Sequence, residues 1–154
     1  MKNITPVLMH RPANLISKGI RLVTGSYWNH AGFKVTVEGI VMFVEAVEGG
    51  VRIWTWEKAK EYYDSKNCEY KFLPDCIMER SYVSKLSSGY EFMTFLREIL
   101  YLTSIKLFGN CYLTDKLSNL DDPSKFVCFE LLAYCMGKHY PWRATGKTFD
   151  NKLN

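Results

Sequence analysis

The stretch HAGFKVTVEGIVMFVEAV, residues 30–47, constrains the fold more than any other part of the chain. Ala31, Phe33, Val35 and Val37 alternate with His30, Gly32, Lys34 and Thr36. A period of two marks a half-buried strand, because successive side chains leave opposite faces of the pleat. Glu38-Gly39 supplies a hairpin turn, a weaker signal than Asn-Gly. The returning run, Ile40 to Val47, is apolar at nearly every position and is expected inside a sheet rather than at its edge. With Val37 opposite Ile40, Gly32 falls opposite Glu45, and His30 and Glu45 become diagonal neighbours on one face. Gly32 leaves room between them, and a register slip of one residue would part them.

The hairpin needs further strands and a cover to form a core. Gly49-Gly50 makes a second turn, and VRIWTW at 51–56 reads as a third strand. EKAKEYYD then reads as a short helix with Thr55 as its cap. CEYKFL at 68–73 is a strand stopped by Pro74, and VLM between Pro6 and Pro12 is a short one. NLISKGIRLV predicts a helix from Asn14, ended by the turn TGSY at 24–27. The longest helix is expected over 90–107. Pro123 and Ser124 open a last helix through Met136, which Gly137 closes. The pattern predicts one α+β domain, 1–154, with an antiparallel sheet or small barrel packed against helices.

Composition narrows the functional classes. Apolar residues make up 47% of 154, enough for a sizeable core. A net charge of +4 with no basic stripe gives no reason to expect nucleic acid. Five cysteines, an odd number with no Cys-x-x-Cys pair, fit a reducing compartment better than a disulfide framework. MKNITPVLMHR does not read as a signal peptide, and Arg97, Glu98 and Lys106 break the apolar run at 92–108. A cytoplasmic protein is therefore expected. Cys135 with His139, and Cys68 with Cys76, lack further ligands at zinc spacing, so no metal and no cofactor are expected. ATGKT at 144–148 echoes the end of a phosphate-binding loop but has neither the first glycine nor a preceding strand.

Glu45 lies within VMFVEAV, and a carboxylate buried there needs a partner. His30 can be that partner. A carboxylate on one ring nitrogen fixes the tautomer and leaves the other nitrogen free to accept a proton. Cys128, at the front of the last predicted helix, reads singly as a small buried hydrophobe. If that helix covers the face carrying His30, the thiol meets the imidazole, and the helix terminus favours its thiolate. Cys128, His30 and Glu45 would then be nucleophile, base and orienting group.

These residues resemble the circularly permuted papain-like cysteine hydrolases, the NlpC-type branch in which the histidine strand precedes the cysteine helix. LISKGIRLVTGSYWNHAGF at 15–33 is similar to the family's opening helix, turn and histidine strand. FVEAV at 43–47 is similar to its strand bearing the third polar residue, and FVCFELL at 126–132 to its Cys-Ser-Glu-Leu-Val block. Two features depart from the pattern. Phe129 replaces the usual serine, and TPVLMHRP lacks the early Gly-Asp strand. The resemblance implies a permuted papain-like fold and acyl transfer through a Cys128 thioester, with His30 as base and Glu45 as its support. The implied substrate is a peptide, an amide or an acylated small molecule. Tyr27, Trp28 and Phe129 are candidate groove residues. Two other readings stay open: a lipid-directed acyltransferase or phospholipase touching a membrane through the 92–108 helix, and a binding protein that keeps the fold without turnover.

Overall fold

The computed structural model describes residues 3–12, 18, 21–22, 25–47, 50–81, 83, 128–137 and 149. Its strands are β1 (Asn3–His10), β2 (His30–Val37), β3 (Ile40–Val47), β4 (Gly50–Thr55), β5 (Glu69–Phe72) and β6 (Cys76–Ile77). Among the described residues, the helices α1 (Trp56–Asp64) and α2 (Cys128–Cys135) accompany them. The strands form one antiparallel sheet in the order β4-β3-β2-β1-β5, with β6 also on β1. This is a mixed α+β fold with an antiparallel sheet packed against helices. Of the helix predicted over 14–23, Lys18, Arg21 and Leu22 are described and are helical; the helix predicted over 90–107 and the start of the last helix at 123–127 lie outside the described residues. Among the described residues no helix is long and apolar enough to cross a membrane.

The β2–β3 hairpin has the predicted register, with Val37 opposite Ile40 and Gly32 opposite Glu45. Its turn places Glu38 at φ 50° and Gly39 at φ 80°. Positive φ at both central residues matches the turn twist to the strand twist. Gly39 adopts it freely, whereas Glu38 bears a steric cost. β3 is paired on both sides, by β2 and β4, as its apolar run implies. Thr55 caps α1, its hydroxyl accepting from Lys58 N–H at 3.4 Å.

The opening strand is longer than the sequence suggested and occupies an interior position. Pro6 sits inside it, where a proline would ordinarily break the ladder. The outer side of β1 is paired in two pieces, by β6 at Asn3–Ile4 and by β5 at Val7–His10. Pro6 falls at the junction. Its carbonyl points to that side, accepting from Leu73 N–H at 3.0 Å, so its missing N–H costs no strand pairing.

The two faces of the sheet are covered differently. Ile4, Leu8, Ala31, Phe33, Val35, Val44 and Ala46 cluster with Phe129, Leu131, Leu132 and Ala133 of α2. Val7, Met9 and Phe43 face the other way and cluster with Ala59 and Tyr63 of α1. Each large side chain fully buried here contributes about 1.5–3 kcal/mol. His30, Gly32 and Glu45 have the parity of Phe43. The face carrying the His–Glu pair is thus lined by α1, while the body of α2 packs on the other face; Cys128, the first described residue of α2, nevertheless acts on His30, the first residue of β2, by charge and side-chain hydrogen bonding. The reason is side-chain parity. The odd-numbered residues of β2 are the apolar ones, and the apolar helix α2 takes that face.

Candidate active site

His30 is the first residue of β2, and its position is fixed from behind. The Asn29 side chain accepts from Arg11 N–H at 2.9 Å and donates to Arg11 O at 3.0 Å. Asn29 N–H donates to Met9 O at 3.1 Å. An amide side chain thus continues the β1–β2 pairing beyond Met9↔His30.

From there the imidazole Nε2 meets Glu45 Oε2 at 2.5 Å. Both residues are buried, Glu45 completely. An ionised carboxylate can only accept, so Nε2 carries the proton and Nδ1 is the nitrogen left for other chemistry. Gly32 lies between the two positions on the same face, and the Phe43 ring occupies the space above it. A Cβ there would collide with that ring and stand 2.7 Å from the Val44 carbonyl oxygen.

Two residues not anticipated from the sequence complete the surroundings of Glu45. Arg52 of β4 donates to Oε1 through Nε at 3.1 Å and Nη2 at 2.7 Å. Tyr63 of α1 donates to Oε2 at 2.5 Å. The chain carried a partial signal for each. A turn at Gly49-Gly50 would have set Trp54 opposite Glu45; in the structure Gly50 pairs with Val47, which brings Arg52 directly opposite Glu45. Trp56, Ala59 and Tyr63 are spaced for one side of a helix.

The electrostatics follow from these contacts. Burial raises the Glu45 pKa, but the His30 hydrogen bond and charge, Tyr63 and Arg52 outweigh it and hold the carboxyl below its ordinary range. Burial also opposes charge on His30. The charge of Cys128 and its side-chain hydrogen bonding, together with Glu45, overcome that and push the imidazole up to about 9. Cys128 is the first described residue of α2 and is half-buried. Cys135, two turns further along the helix, is fully buried, and burial pushes its thiol up to about 12. Burial likewise raises Cys68. Cys111 lies outside the described residues.

The three candidate groove residues separate. Tyr27 is 42% exposed; its hydroxyl donates to Glu69 at 2.7 Å and its ring stacks on His10 at 4.2 Å. Trp28 is half-buried against the α2-side core. Phe129 is only 6% exposed and stacks on Phe149, so its ring belongs to the core. His10 is buried, with Nδ1 3.1 Å from the Tyr27 carbonyl. No protein-family model matches the chain, and no curated protein matches it.

Proposed function

We propose that the protein is a thiol hydrolase acting on an amide, peptide or acyl bond, with Cys128 as nucleophile, His30 as base and Glu45 as the group that orients it. The observation that carries this reading is the state of His30. Its Nε2 is held by a buried carboxylate, and Cys128 is the neighbour that most favours its charged form. A buried imidazole raised in this way by a thiol and a carboxylate supports a thiolate–imidazolium pair.

Chemistry on such a pair runs in two halves. The Cys128 sulfur attacks the substrate carbonyl, and the electron pair of the C=O moves to oxygen. The tetrahedral species collapses to a thioester as the leaving amine or alcohol takes the proton from His30. His30 then accepts a proton from water, the hydroxide attacks the thioester, and the acid leaves as the thiolate is restored. The Cys128 backbone N–H is the expected donor to the oxyanion.

The finer fold assignment, a permuted papain-like topology, belongs to the same proposal. It is supported by the histidine strand preceding the cysteine helix and by the carboxylate on the adjoining strand. The reading is tested by mass spectrometry after brief exposure to activated acyl esters and acylated peptides, followed by acid quench. An acyl adduct on Cys128 that forms and decays, and is absent in His30→Ala, is the expected result. Acylation spread evenly over the cysteines, or turnover that survives Cys128→Ala, would refute it.

A further inference from the structure

The Glu45 carboxylate is held by more groups than the orientation of one imidazole requires. Tyr63 donates to Oε2, the same oxygen that His30 uses. Arg52 covers Oε1 with two nitrogens, and its Nη2 also reaches the Tyr63 hydroxyl at 3.2 Å. Donors from β2, β4 and α1 therefore close both oxygens of one completely buried carboxylate. Nothing in the acyl-transfer scheme uses Tyr63 or Arg52.

We propose that Tyr63 and Arg52 are positioning residues of this site: they fix the plane of the Glu45 carboxylate, and through it the orientation, tautomer and proton affinity of His30. The proposal rests on the hydrolase reading for its purpose, but its geometry stands without it.

Electrostatics give the proposal a sign. A buried carboxylate with a single partner can escape its desolvation cost by taking up a proton. The Arg52 guanidinium keeps Glu45 ionised, as does the Tyr63 hydroxyl. Both also draw negative charge away from the oxygens that face His30. Glu45 therefore supports the imidazolium less strongly than a bare carboxylate would. That matters for a base which must release its proton to a leaving group and then accept one from water, a task that suits a pKa near the working pH. Tyr63 stays a donor throughout, because burial and the Glu45 charge raise its pKa well above the ordinary value.

Among the described residues, these charged or titratable groups face the pair, together with the Cys68 thiol of the α1-side core, which the Glu45 charge helps to raise. Glu45 comes from β3, Arg52 from β4, Tyr63 from α1 and Cys128 from α2. Arg11, just beyond β1, lies with its guanidinium 5.5 Å from the centre of the Tyr63 ring. Arg52 is the one that can be altered with least harm to the core, its side chain being 36% exposed.

The test is an NMR titration of the His30 ring nitrogens in a Cys128→Ala background, where no turnover is needed. Arg52→Gln and Tyr63→Phe are each expected to raise the His30 pKa by about 0.5–1 pH unit and to blur the single Nε2–H tautomer. Arg52→Lys, which restores charge at one oxygen, is expected to recover part of the shift. An unchanged pKa and tautomer in Arg52→Gln, with near-ultraviolet circular dichroism intact, would overturn the proposal. So would a downward shift. Tyr63→Phe serves as the second reading, and Arg52→Gln decides if that variant does not fold. The hydrolase reading is judged separately, by acylation of Cys128 in the unaltered protein. An ordinary Cys128 thiol beside a His30 that responds to Arg52 would sink that reading and leave this one standing.

Discussion

The two faces of the sheet are built on opposite principles. The face toward α2 is apolar at its centre, with Phe33, Val44, Leu131 and Leu132 all buried. The face toward α1 surrounds a buried ionic group: His30, Glu45, Arg52 and Tyr63 joined by hydrogen bonds. The first kind of interior is stabilised by area and packing and is insensitive to pH. The second offsets the desolvation of charge with specific partners and works only while each partner stays in place. A chain of this size gains little stability from buried charge that apolar packing could not supply. The ionic face is therefore where function is expected.

Truncation should separate the faces first. Phe33→Ala and Glu45→Ala are each expected to cost about 3–5 kcal/mol in chemical denaturation. The causes differ. The first leaves a cavity, and the second strands His30 and Arg52 without their counter-charge. Replacing Glu45 by Gln should recover part of the loss, whereas no isosteric polar change at Phe33 should. Equal insensitivity of both positions would remove the distinction.

The difference sharpens with pH. His30 stands at about 9 against an ordinary 6.5. Its charge therefore contributes stability that is fully present below 6.5 and lost as the pH rises through about 9. Glu45, held low, contributes stability above its ordinary 4.5 that is lost as the pH falls through its folded value. The denaturation midpoint should decline between pH 6.5 and 9. Glu45→Gln should flatten that decline, and Phe33→Ala should lower the whole curve without changing its shape.

The sequence carried the hairpin and its ionic pair plainly, because alternation and a turn set a register that left His30 and Glu45 on one face. It carried α1 and its Thr55 cap for the same local reasons. The opening strand was less legible: Pro6 signals an end, and only the split pairing of β5 and β6 makes it harmless. Which helix covers which face was a tertiary matter. Position at the front of a helix suggested that α2 lay over the histidine face; the apolar parity of β2 drew its body to the other one, and only its first residue, Cys128, acts on His30. Arg52 and Tyr63 were within reach of the same hairpin and helix spacing that located Glu45. They were hidden because each also reads as an ordinary half-exposed residue.

Smaller perturbations test how the two faces are joined. Gly32→Ala adds a methyl group against Phe43 and the Val44 carbonyl. It should cost about 1–3 kcal/mol as an overpacked site and also loosen the His30–Glu45 contact. A purely local cost, with the His30 titration unaltered, would mean that Gly32 serves packing alone. Thr55→Ala removes a cap at the start of the helix that carries Tyr63. The expected loss is about 0.5–1 kcal/mol in thermal unfolding, with no change in the His30 tautomer.

The most direct test of the central claim is the rate of iodoacetamide modification at Cys128 against pH, followed by mass spectrometry in the unaltered protein and in His30→Ala. A poised thiolate–imidazolium pair predicts rapid modification well below pH 8, lost in the variant, while the buried Cys135 stays slow in both. A Cys128 that reacts only as an ordinary thiol, with the same profile when His30 is absent, would contradict the account.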